Sequence, residues 1–183
     1  MNITRCPWAK DPYSQQYHDQ EWGKPCHNDQ KLFELLILEG FQAGLSWVTI
    51  LKKRAAFQTA FDHFDPKLIG RYDPQKIDAL MQDPGIVRNR LKIDATKANA
   101  IAFLQVQQEW GSFDRYIWSF TNGKTVDPQW ESSSEIPTET ALSQKISQDL
   151  KKKGFRFVGP TIIYSYLGAI GIVNDHLVSC SFH

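Results

Sequence analysis

The run Leu32–Arg54, LFELLILEGFQAGLSWVTILKKR, contains one carboxylate whose setting demands a chemical explanation. Every residue from Leu32 to Leu38 is apolar except Glu34, and Glu39 follows directly. On a helix, the residues three and four places from Glu39 are Leu35, Leu36, Gln42 and Ala43, so its surroundings are mainly apolar. A carboxylate on an apolar face must be paired, hold its proton, or meet a ligand. Two readings stand: a helix-end acid that bends into solvent, or a ligand-recognising acid beside an aromatic wall to which Trp47 belongs. Glu34 differs, because Gln30 and Lys31 lie one turn earlier and it is expected to face water.

The ends of the chain carry soft ligands. Cys6 and His18 lie near the start, and His176 and Cys180 near the finish. The spacing His176-x3-Cys180 puts an imidazole and a thiolate on one face of a helical turn. Together the four make a Cys2His2 set, which suits tetrahedral zinc and leaves no open position, so such an ion would be structural. The alternative is a set of unrelated buried thiols and surface histidines. A third candidate, Asp83-Pro84-Gly85-Ile86 followed by Arg88, Asn89, Arg90 and Lys92, reads as a turn between two helices. It can aim backbone N–H groups at a phosphate, or simply connect the helices. Among the aromatic residues, Tyr17, Trp22 and Trp47 stand close in sequence to the acid or the ligands, which marks them for a pocket.

Nearly all the elements needed to hold these residues are helical. The pattern predicts helices over Tyr13–Glu21, Asp29 to about Phe41, Ser46 (as cap) through Phe61, Pro66–Arg71, Pro74–Gln82, Lys92–Glu109, Phe113–Phe120 and Thr140–Lys153. A last buried helix is expected from Pro160 to about Val173. Asp-Pro at 65–66 and 73–74 supplies an N-cap followed by proline at the first helical position. The polar stretch Asn122–Ile136 is read as a loop, and no stretch alternates well enough to be a strand.

With 183 residues, 42% hydrophobic and 22% charged, the chain is long enough for one domain or two small lobes sharing a cleft. A net charge of +1 argues against a uniformly basic nucleic-acid binder but allows local clusters such as Lys52–Arg54. Three cysteines make no even disulfide framework, and the N-terminus has no apolar signal segment, so a reducing, cytoplasmic setting is expected. The run from Phe157 to Asn174 is interrupted by glycines and a proline and falls short of a membrane span.

The segments CPWAKDPYSQQYHDQEWGKP, LFELLILEGFQAGLSWVTILKKR, GIVRNRLKI, KKKGFRFVGPTIIYSYLGAIG and VNDHLVSC resemble, in order and spacing, the DNA-3-methyladenine glycosylase I family. The likeness runs from Cys6 to Cys180. It implies an all-α, single-domain, helix-hairpin-helix glycosylase fold of two lobes, with zinc joining the two ends through Cys6, His18, His176 and Cys180. It implies a monofunctional enzyme that flips out and excises 3-methyladenine, with Glu39 as the candidate catalytic residue and Tyr17, Trp47 and Trp22 around the base. Where the family can carry a further pocket tyrosine this chain has Ser14, and Tyr13 is the candidate replacement. The catalytic Asp of related glycosylases has no evident counterpart. Gly85, Arg88 and Lys92 are expected at the DNA, with the amides of 85–88 free, and Gly44 and Leu45 in the turn before Ser46 are candidates for propping the opened duplex. Expected partners are damaged double-stranded DNA and free 3-methyladenine, with no membrane, for a monomer. Two rivals remain: a glycosylase–lyase using Lys92 as a Schiff-base amine, and a zinc-stapled DNA-binding module without activity.

Overall fold

The computed structural model describes residues 2–183. Short polar side chains open its helices by accepting a first-turn backbone N–H. Asp11 caps α1 (Pro12–Gln20), Asn28 caps α2 (Asp29–Gln42) and Ser46 caps α3 (Trp47–Ala60). Asp65 caps α4 (Pro66–Ile69), Asp73 caps α5 (Pro74–Leu80), and Asn89 caps α6 (Arg90–Trp110). Ser112 caps α7 (Phe113–Ser119) and Thr140 caps α8 (Ala141–Lys152), whereas α9 (Pro160–Ala169) starts on its proline with no side-chain cap. Among the described residues there is no strand, only one isolated bridge between Val126 and Val173. Among the described residues no helix is long and apolar enough to cross a membrane.

Helix α2 is the centre of the molecule. It touches α3, α6, α7 and α9, and all residues from Leu32 to Phe41 are buried. That explains why the sequence there shows no single apolar stripe: a helix packed on all sides must be apolar all round. Each large side chain sealed there contributes about 1.5–3 kcal/mol through burial. The expectation that Glu34 faces water is wrong. Its carboxylate is buried and accepts from Arg54 Nε at 2.8 Å and Gln58 Nε2 at 2.9 Å, because α3 packs against α2 and brings both side chains inward. Arg54 also bonds Glu21, just after α1, at 2.8 and 3.0 Å, so one guanidinium joins three elements.

Helix α9 ends at Ala169 rather than near Val173. Its last carbonyls are taken by another segment: Gly23 N–H donates to Gly168 O and Cys26 N–H to Ile170 O, both at 2.9 Å. Gly171 has φ +75°, and a Cβ there would run into the backbone of Lys24 and Pro25, so the chain must turn at a glycine. The two ends of the protein meet beyond this point, where Ser181 N–H donates to Thr4 O at 2.8 Å and Thr4 N–H to Ser181 Oγ at 3.0 Å.

Candidate active site

A cavity of about 450 Å³ opens between the α1–α3 group and α9. That volume lies in the range of small-ligand sites. Tyr17 comes from α1, Glu39 from α2 and Trp47 from the first residue of α3; all three line the cavity. The Tyr17 and Trp47 rings lie 5.3 Å apart, tilted by 58°. Trp8 and Trp22 add a second aromatic pair at 4.9 Å, so both lie in the same wall.

The polar groups here lack partners. Among the described residues nothing hydrogen-bonds the Glu39 carboxyl, which is 4% exposed, and burial alone pushes its pKa up to about 8. The Tyr17 hydroxyl and the Trp47 indole N–H are also buried without a partner. Burial, then Glu39, pushes the Tyr17 phenol well above its usual range. Buried polar atoms are nearly always paired, so three groups left over around one cavity describe a ligand with complementary polar edges. The solvent-bending reading of Glu39 is excluded.

The other wall comes from α9. Thr161, Tyr164, Ser165 and Gly168 all face the cavity, and their spacing of three, one and three residues is one helical face. That stripe of small and polar residues inside an apolar helix was a readable signal that sequence reasoning passed over. Asp175 was missed as well. It is buried, and its Oδ1 accepts from Trp130 Nε1 at 2.8 Å and Tyr164 Oη at 2.7 Å. Ile136, Pro137 and Thr138 complete the lining from the loop before α8.

Three of the four expected metal ligands gather beside this wall. The candidate ligand atoms of Cys6, His18 and Cys180 all lie within 4.8 Å of one another. His18 Nδ1 is bonded to Asp19 at 2.8 Å, and Arg5 holds that carboxylate in turn, which leaves Nε2 facing the thiols. His176 stands with its ring 4.8 Å from that of His18. Its Nδ1 is bonded to Asn174 at 3.0 Å, and its buried Nε2 has no partner. Burial, with Cys180 nearby, pushes the Cys6 thiol up to about 11; burial and His18 push His176 down to about 4. The cluster of Cys6, His18 and Cys180 can hold a metal ion, while His176 lies outside it with its Nε2 buried and unpartnered.

A family model described as "Methyladenine glycosylase" matches residues 8–183. The chain belongs to the methyladenine glycosylase family. It is 48% identical over 179 residues to DNA-3-methyladenine glycosylase 1 of Escherichia coli, covering 97% of this chain and 96% of that protein. With DNA-3-methyladenine glycosylase of Haemophilus influenzae it shares 45% over 178 residues, again 97% and 96% of the two chains. A crystal structure of 3-methyladenine DNA glycosylase I superposes with a TM-score of 0.96 at 45% identity, covering 98% and 100% of the chains. The Staphylococcus aureus structure on 3-methyladenine recognition gives 0.94 at 41% identity, covering 98% and 96%.

In this methyladenine glycosylase three expected site residues lie elsewhere. Tyr13 is half exposed and outside the cavity, beside the Lys52 ammonium at 6.0 Å. The face of α1 that is buried carries Ser14, Tyr17 and His18, and Ser14 Oγ donates back to Asp11 at 2.6 Å. Lys92 does not face outward. Its ammonium is buried and donates to the carbonyls of Phe41 (2.8 Å) and Ala43 (2.7 Å), the open end of α2. The Gly85 amide is not free, since it donates to Asp83 Oδ1 at 2.7 Å, and a Cβ at Gly85 would press on Ala56 of α3. Arg88 is exposed in that turn. Gly44 has φ +81° with open space around it, and Leu45 is 40% exposed. Gln42 holds this turn by donating from Nε2 to Leu45 O at 2.7 Å and accepting Leu45 N–H on its own carbonyl at 2.7 Å.

Proposed function

We propose that this chain is a monofunctional DNA glycosylase that excises 3-methyladenine from alkylated DNA and leaves an abasic site. The observation that carries the reading is the partnerless Glu39 carboxyl facing a cavity beside Tyr17 and Trp47, in a chain of the methyladenine glycosylase family. A base inside a duplex is out of reach, so the nucleotide must swing out into such a cavity. In DNA the 3-methyladenine ring is positively charged and its glycosidic bond is weak, so the site has more need of recognition than of leaving-group activation. The faces of Tyr17 and Trp47 attract a cationic ring by about 0.5–2 kcal/mol per contact. Glu39, once ionised by the arriving cation, accepts from its exocyclic amine and favours the charged ring over neutral adenine. Tight binding of the cation does not by itself speed bond cleavage, so this carboxylate acts first in selection. The bond breaks with its electron pair returning to the ring, which leaves as the neutral base, and water bonds to the sugar carbon and releases a proton to solvent.

The exposed Leu45 on its preset Gly44 turn is suited to fill the gap left in the base stack. The α5–turn–α6 unit with Arg88 is the helix-hairpin-helix element that docks a phosphate. Lys92 is spoken for by two carbonyls, which speaks against a lyase that would need its amine as nucleophile. A partnerless acid in a cavity speaks against plain backbone binding. Cys6, His18, His176 and Cys180 suit one zinc ion, which as a closed Cys2His2 site would tie the ends of the chain and take no part in chemistry. Incubation with methylated DNA followed by chromatography of the released bases tests the reading. Release of 3-methyladenine is expected, and retention of the base on DNA would overturn it.

A further inference from the structure

Glu39 is not the only acid at the cavity. Asp175 lies between α9 and the ligand His176, is 5% exposed, and also lines the cavity. Its two oxygens are treated differently. Oδ1 accepts from Trp130 Nε1 and Tyr164 Oη, which fixes the plane of the group. Oδ2 has no donor among the described residues, yet it is not among the sealed, partnerless atoms. The cavity is where it opens. Gly168 of α9 lies beside it: a Cβ there would meet Oδ2 at 3.6 Å and the indole nitrogen of Trp22 at 3.4 Å, in ordinary contact.

Holding Trp130 and Tyr164 needs only one acceptor oxygen. An asparagine would do it without the cost of burying a charge. The second oxygen is therefore free for a ligand, and Trp8 and Trp22 line the same cavity. We infer that Asp175 is a second charge-reading residue of the base site, whose Oδ2 attracts the positively charged alkylated purine from the α9 wall. It discriminates a cationic ring from a neutral ring of the same shape. The inference rests on the base-excision reading above.

Asp175→Asn is the test, because it keeps Oδ1 for both donors and changes only the atom facing the cavity. Two free rings serve as probes, the permanent cation 3,9-dimethyladeninium and neutral 3-methyladenine, with binding followed by tryptophan fluorescence. Affinity for the cation should fall about tenfold while affinity for the neutral ring stays within twofold. Metal content and unfolding temperature should match wild type. An unchanged cation-to-neutral ratio overturns the inference, and so does an equal loss for both rings. If the Asn variant loses metal or fold, carboxyl-13C NMR of the wild-type protein decides. The Asp175 resonance should move on addition of the cation and much less with the neutral ring; a resonance that ignores the cation overturns the inference. Should wild type bind neither ring and release no base from methylated DNA, the base-excision reading itself has failed. Normal excision with an unaltered ratio in Asp175→Asn removes Asp175 alone.

Discussion

Glu39 is under two opposing demands. Burial favours its neutral form up to about 8, while a cationic ring favours the carboxylate. The folded value lies above the ordinary 4.5, so the protonated group suits the fold and the ionised one does not. Its stabilising contribution is whole below about 4.5 and is lost as pH rises through about 8. Glu39→Gln removes that dependence. The variant should match wild type near pH 4.5 and exceed it by roughly 3–5 kcal/mol above pH 8, measured by urea denaturation at the two pH values. Parallel stabilities at both would mean that Glu39 has a partner. The same variant should bind 3-methyladenine about ten- to a hundredfold more weakly, since a charge-assisted hydrogen bond is worth about 1.5–3 kcal/mol, and its excision should fall with it.

Elements hold this residue in place through their ends. Lys92 on α6 satisfies two carbonyls at the end of α2, between Glu39 and the Gly44–Leu45 turn. Lys92→Met should cost about 1–3 kcal/mol through those unpaired carbonyls. Borohydride should trap no wild-type protein on abasic DNA; a stable adduct would restore Lys92, or another amine, as a nucleophile. Leu45, by contrast, has little to lose. At 40% exposure, Leu45→Ala should change stability by less than about 1 kcal/mol while lowering duplex binding and excision. A loss of about 2–5 kcal/mol on chemical unfolding would mark it as core instead. Arg54 is the counterpart inside the fold: its removal leaves Glu34 with Gln58 and Glu21 with Lys31 and should cost about 1–3 kcal/mol.

At the scale of the molecule, the cavity has one wall from the first third of the chain and one from the last. Cys6 and His18 belong to the first part, His176 and Cys180 to the last, so a metal held there would clamp the two walls together. Chelation should lower the unfolding temperature and expose the terminal segments to proteases, with excision surviving at temperatures where the chelated protein stays folded. Elemental analysis showing far less than one zinc per chain in fully stable protein would remove the clamp.

Much of this was legible along the chain. Asp65, Asp73 and Ser46 announce their helices because capping is a local hydrogen bond. The apolar run of α2 announced a helix and made Glu39 conspicuous, though not that the helix is buried on every side. The segments that carry the family resemblance are strings of neighbours too, so they survive in one dimension. What the chain alone left open depends on partners far away in sequence. Glu34 looked solvated until Arg54 and Gln58 of α3 came to meet it. Lys92 looked free until the end of α2 packed beneath it, and Tyr13 looked like a pocket residue until α1 took its rotation from Ser14, Tyr17 and His18. Asp175 gains its place from Trp130 and Tyr164. Caps and periodicity follow from the backbone within one turn, whereas burial, pairing and the direction a side chain faces follow from which surfaces pack together, and only the tertiary structure decides that.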